Sequence, residues 1–122
     1  MELRTVNQNG HTIAIVHANE TIITDVPSAL DFLASVRYEA DTDRIALNKE
    51  ALSEDFFELR TKLAGEVLQK FVNYYAKLAI HGDFSIYTSK ALKDFIYECN
   101  NGRHIFFTAT QDEAIEKLAA AR

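Results

Sequence analysis

The chain has 122 residues, 48% of them hydrophobic, enough for one core, so residues 1–122 are expected to form a single domain. Eighteen acidic against 13 basic residues leave a net charge of −5, which argues against nucleic acid held by bulk electrostatics. The one cysteine, Cys99, excludes an internal disulfide, and no stretch has signal-peptide or membrane-spanning length, so a soluble cytoplasmic protein away from the membrane is expected.

The first predicted element is a hairpin. Leu3 to Val6 and Thr12 to His17 are rich in strand formers and flank Asn9-Gly10, a dipeptide suited to a turn with two positive φ angles. A helix follows from Asp25 as cap, with Pro27 in its first turn and Leu30, Leu33 and Val36 as its buried stripe; it ends before Asp41-Thr42-Asp43. Ile45 to Leu47 is the third strand. From Ser53 to Tyr75, two adjacent apolar lines, one through Phe56, Leu63, Val67 and Phe71 and one through Phe57, Ala64, Leu68 and Val72, predict a long second helix capped by Ser53. Its length would be about 34 Å at 1.5 Å per residue, longer than the strand beneath it. That overhang and the wide apolar arc predict a homodimer through this helix.

Leu78 to Ile80 is the fourth strand. A third helix starts at Thr88 or Ser89, buries Leu92, Phe95, Ile96 and Cys99, and stops at Asn100-Asn101-Gly102, read as a left-handed cap. Ile105 to Phe107 is the fifth strand, and Thr110 with Glu113 has the spacing of a capping box opening the last helix. The order β-β-α-β-α-β-α-β-α implies an α/β fold: a mixed five-stranded sheet with four helices, its later strands parallel and joined by right-handed crossovers.

No catalytic signature is present: the chain lacks G-x-S-x-G, G-x-x-x-x-G-K-[ST] and G-x-G-x-x-G. His11, His17, His81 and His104 share no short ligand spacing, so no metal and no cofactor is expected, and Cys99 reads as a small buried hydrophobe. The five tyrosines are spread over different elements with few cations between them, which favours packing and interface roles over base stacking.

Polar residues collect where parallel strands end and the following helices begin, the edge at which open α/β sheets bind ligands. Lys49, Ser53, Asp83, Ser85, Thr88 and Ser89 fall there, and Gly82 leaves the backbone open. Each has an ordinary structural role as well: Ser53 and Thr88 as helix caps, Asp83 as a turn residue. Together they form the candidate edge for a ligand or a protein partner. In a ligand-binding protein or small enzyme, Asp83 or His81 would be the base and Lys49 an anion contact.

The blocks SEDFF, LAGE-x-LQKF, KLAI-x-GDFS and TSKAL-x-DFIYE within Ser53 to Phe107 resemble a bacterial family of short proteins of unknown function. More distantly, the element order is similar to STAS domains, the fold of bacterial anti-sigma-factor antagonists. That likeness implies a non-enzymatic regulatory module that binds another protein, with a phosphorylatable serine after the third strand. Ser53 occupies the comparable place, flanked by Leu52 and by Glu54-Asp55 where those antagonists carry Asp-Ser-x-Gly.

Overall fold

The computed structural model describes residues Met1–Arg122. It shows the mixed five-stranded sheet and four α-helices in the expected order. β1 (Glu2–Gln8) and β2 (His11–His17) form an antiparallel hairpin, and its turn places Asn9 at φ 54° and Gly10 at φ 79°, as Asn-Gly turns require. β3 (Arg44–Asn48), β4 (Lys77–His81) and β5 (Ile105–Thr108) add in chain order, each parallel to its predecessor.

Sequential strands with crossovers of one hand send the connecting helices to one face. There α1 (Val26–Ala40), α2 (Leu63–Asn73) and α3 (Lys90–Asn100) cover Val16, Leu47, Ile80 and Phe107. The other face receives only α4 (Gln111–Ala120), whose Ala114, Leu118 and Ala119 pack on Ile15, Ala46, Ala79 and Phe106. Two faces buried by helices explain why the parallel strands read as short continuous apolar runs. No helix is long and apolar enough to cross a membrane.

α1 begins as expected: the Asp25 carboxylate accepts from Ser28 N at 2.8 Å, and Ser28 Oγ accepts from Asp25 N at 3.1 Å, with Pro27 in the first turn. Its buried stripe is Ala29, Phe32, Leu33 and Val36, a slight rotation that leaves Leu30 half-buried. α4 starts at Thr110, whose hydroxyl accepts from Glu113 N at 3.2 Å and donates to the Glu113 carboxylate at 3.0 Å.

Two expectations are corrected. The segment from Ser53 to Tyr75 is not one helix: Ser53 caps a four-residue 3-10 turn, Glu54–Phe57, a second turn covers Leu59–Thr61, and α2 starts only at Leu63. The Thr61 hydroxyl bonds the Asp55 and Glu58 carbonyls at 2.7 and 2.8 Å, and Lys62 swings to φ 67°, so the helical ladder cannot pass this point. α2 spans about 16 Å, and the overhang argued from a longer helix is absent. The second correction concerns the end of α3, where Asn101 is right-handed at φ −85°. The Asn100 side chain is instead used as a clamp, accepting from Phe107 N at 2.7 Å and donating to Phe107 O at 3.2 Å, which covers the free edge of β5.

Candidate functional site

The carboxyl edge of the parallel strands is divided by the sheet into two sides. Alternation along β3 and β4 sends Asn48 and His81, which pair in register, toward the α4 face, and sends Lys49 and Gly82 toward the face of α1–α3. His81 and Lys49, a candidate base and a candidate anion contact, therefore leave the sheet on opposite sides.

Lys49 is 8% exposed. Its ammonium sits 5.5 Å from the centroid of the Phe57 ring and 5.2 Å from that of Tyr87, two rings stacked with centroids 4.9 Å apart. Glu54 completes the cage: its carboxylate lies 3.6 Å from Lys49 Nζ and accepts from the Tyr87 hydroxyl at 3.1 Å. Burial pulls the Lys49 pKa down, but Tyr87, Glu54 and Glu50 outweigh it and hold the value above that of a free lysine. Burial pushes Tyr87 up, more than Lys49 pulls it down. Lys49 is thus a charged residue spent largely on joining three segments: the end of β3, the turn after Ser53 and the loop after β4. Gly82 makes the cage possible, since a Cβ there would lie 2.7 Å from Lys49 Cβ.

The remaining predicted residues lie along the segments that meet at this cage. Ser53 is half-buried; its amide donates to Ile23 O at 2.9 Å and its hydroxyl accepts from Asp55 N at 3.3 Å. Asp83 is exposed and folds the loop on itself, accepting from Ser85 N at 2.9 Å and Ser85 Oγ at 2.5 Å. Those two bonds, with Lys49 nearby, hold its carboxyl below the usual range. Ser89 caps α3 by accepting from Leu92 N at 3.2 Å, and Thr88 stands exposed before it. The structure therefore gathers Lys49, Asp83 and Ser85 at one loop, with Thr88 and Ser89 at its far end, while Ser53 reaches the cage only through its neighbour Glu54.

On the α4 side, the Asn48 amide locks β3 to the end of β2 through Ala18 N at 2.8 Å and Ala18 O at 2.7 Å, and also donates to Glu50 at 3.2 Å. His81 Nε2 is buried without a partner; burial lowers its pKa, with Glu50 opposing and His17 adding to the shift. No group of His, Cys, Asp and Glu is arranged to hold a metal ion. Burial and Glu98 push the Cys99 thiol to about 11, which removes it as a nucleophile at neutral pH.

Sequence reasoning missed Phe57, Tyr87 and Glu54 as the partners of Lys49. It also missed Ile86, 60% exposed at the tip of the loop. Phe84, packed edge-on to Phe107 at 5.4 Å, and Tyr87, stacked on Phe57, anchor the chain on either side of that tip. Tyr87 N donates to Phe84 O at 3.2 Å and closes the turn that presents Ile86. The only signal was an apolar residue flanked by serine and tyrosine in a segment without helical spacing.

No curated protein and no solved structure matches the chain. The family model for a domain of unknown function, DUF4180, matches residues 8–118, from the first strand to the last helix, and the chain belongs to that family.

Proposed function

We propose that this protein is a non-enzymatic interaction module whose partner surface is the loop after β4, centred on Ile86. The observation that carries this reading is an isoleucine left 60% exposed on a loop pinned on both sides by half-buried aromatics, Phe84 and Tyr87, packed on the core. A rigidly presented apolar side chain loses little conformational freedom on binding and makes an efficient anchor in a partner's pocket. Asp83, Ser85, Thr88 and Ser89 supply a polar rim of the kind that surrounds such anchors. The distant likeness to STAS domains agrees with a regulatory protein partner. Ser53 enters as a cap and not as a phosphate acceptor, because Glu54 and Asp55 would repel a phosphate and a four-residue turn offers little dipole to hold it.

The test is site-specific photo-crosslinking from position 86 in cells, with position 38, an exposed tyrosine on α1, as the control. The expected result is a discrete adduct from position 86 alone, lost when unlabelled wild-type protein competes. Ile86→Asp should then lose the same partner while its Tm stays within the small range of surface substitutions. Equal adducts from both positions, or full partner binding by Ile86→Asp, would reject the reading.

A further inference from the structure

At the opposite, amino end of the sheet, cations gather with no acidic partner. Arg44 pairs in register with Lys77, and the pairing of Leu78 with Ile105 sets His104 beside Lys77. All three leave the sheet on the α4 face, because Ala46, Ala79 and Phe106, two residues further along each strand, pack under α4. Arg103 precedes this row and Lys117 joins it from the last turn of α4; both line one open hollow of about 370 Å³ over Phe106 and Ala120.

The four ion pairs of the molecule, Arg37–Asp43, Lys49–Glu54, Arg60–Glu58 and Lys90–Asp94, use none of these cations. Lys77, 8% exposed, donates to Arg103 O at 2.7 Å, and Arg44 donates to Leu118 O and Ala121 O. Those acceptors are neutral carbonyls. They satisfy hydrogen bonds, and the end of α4 contributes about half a negative charge, but five cationic side chains, those of Arg44, Lys77, Arg103, Lys117 and Arg122, stand there in a protein of net charge −5. Burial first, with Arg44 and Arg103 adding to it, lowers the Lys77 pKa, and burial, with Lys77 and Arg103 adding to it, lowers that of His104. His104 Nδ1 is buried without a partner beside them. Capping one helix end needs one cation, so capping leaves Lys77, Arg103 and Lys117 unexplained.

We propose that this hollow binds a multivalent oxyanion of the phosphate type, carried by a small molecule. Arg103 and Lys117, both exposed, would make the charge-assisted hydrogen bonds, while Lys77 and Arg44 supply positive potential from beneath. The hollow has the size of a small-ligand site, and its basic lining residues, Arg103, Lys117 and Arg122, surround one opening instead of forming the stripe that tracks a nucleic-acid backbone.

The experiment titrates the full chain with inorganic pyrophosphate at constant ionic strength, by calorimetry and by NMR of the histidine rings and arginine side chains. The proposal expects saturable binding by millimolar concentration, with His104 and Arg103 resonances moving and those of His11 still. The double variant Arg103→Gln, Lys117→Gln should weaken binding at least about tenfold with unchanged Tm in the absence of pyrophosphate, whereas Lys90→Gln on α3 should bind as wild type. No saturation, shifts spread over all surface cations, or undiminished binding by the double variant would overturn it. Tighter binding of a single-stranded oligonucleotide than of pyrophosphate, with shifts extending beyond the hollow, would overturn the small-molecule assignment.

Discussion

Gly82 and Lys49 face each other across the ends of β4 and β3 so closely that no side chain fits between them: an added Cβ would lie 2.7 Å from Lys49 Cβ and 3.1 Å from its Cδ. The atom in the way belongs to the root of the lysine, which swings only if the backbone moves. Gly82→Ala is therefore expected to cost about 1 to 3 kcal/mol through overpacking. In denaturant titrations, combining it with Lys49→Ala should leave most of that cost, because the Cβ remains, while combining it with Lys49→Gly should relieve it. Additive costs in both double variants would place the strain elsewhere.

Lys49 itself separates packing from charge. Lys49→Ala removes the stem and the ammonium from between Phe57 and Tyr87, and its expected cost is about 2 kcal/mol, combining lost apolar burial with a cation–π term of about 0.5 to 2 kcal/mol. Lys49→Met keeps the stem and should recover at least half of the loss. A Lys49→Ala variant as stable as wild type would show that the cage is unimportant to folding.

Much of this architecture is legible in the residues, and the exceptions have definite causes. Asn9-Gly10, Asp25-Val26-Pro27 and Thr110 through Glu113 specify their turns and caps locally, so the structure reproduces them. The break at Thr61-Lys62 was hidden because Phe56 and Phe57 fall in phase with α2 although a 3-10 turn carries them, and both are buried either way. The environment of Lys49 was hidden for another reason. Its aromatic and acidic partners come from two separate loops, and only the folded topology brings them to the end of β3. The position of Lys49 at the end of β3 was thus legible, while its burial was not.

Tyr75 ends α2 in a left-handed conformation, φ 62°, with Ala76 N donating to Phe71 O at 2.8 Å and Tyr75 N to Val72 O at 3.0 Å, the pattern of a Schellman cap in which glycine is the usual residue. The ring is 83% exposed and contributes little packing. Tyr75→Gly should stabilise the protein by about 0.5 to 1 kcal/mol, whereas Tyr75→Ala, which keeps the Cβ, should not. Destabilisation by Tyr75→Gly would mean that the exposed ring has a packing role.

The two caps differ in strength. Asp25 holds Ser28 N at 2.8 Å at the head of a 15-residue helix, whereas Ser53 reaches Asp55 N at 3.3 Å over a four-residue turn. Asp25→Ala should cost about 1 kcal/mol and Ser53→Ala no more than about 0.5 kcal/mol in the same thermal denaturation series. The reverse order would give Ser53 a structural weight that its hydrogen bond does not explain.

Stability should decline in two steps on acidification. Burial depresses both His81 and His104 below the ordinary histidine value of 6.5, with Glu50 opposing and His17 adding to the shift at His81, and with Lys77 and Arg103 adding to it at His104. Below that value the unfolded chain takes up protons that the folded protein refuses, so folding weakens as pH falls from 6.5 toward the folded pKa values and the loss then levels off. The carboxyls act lower. Hydrogen bonds hold Asp25 and Asp83 below 3.8 and contribute to holding Glu50 below 4.5, so their stabilisation is complete above those values and disappears as pH falls through the folded ones. Denaturant midpoints measured across this range should therefore show an upper step that the double variant His81→Gln, His104→Gln removes and a lower step that it leaves in place. An upper step of undiminished size in that variant would show that neither histidine carries it.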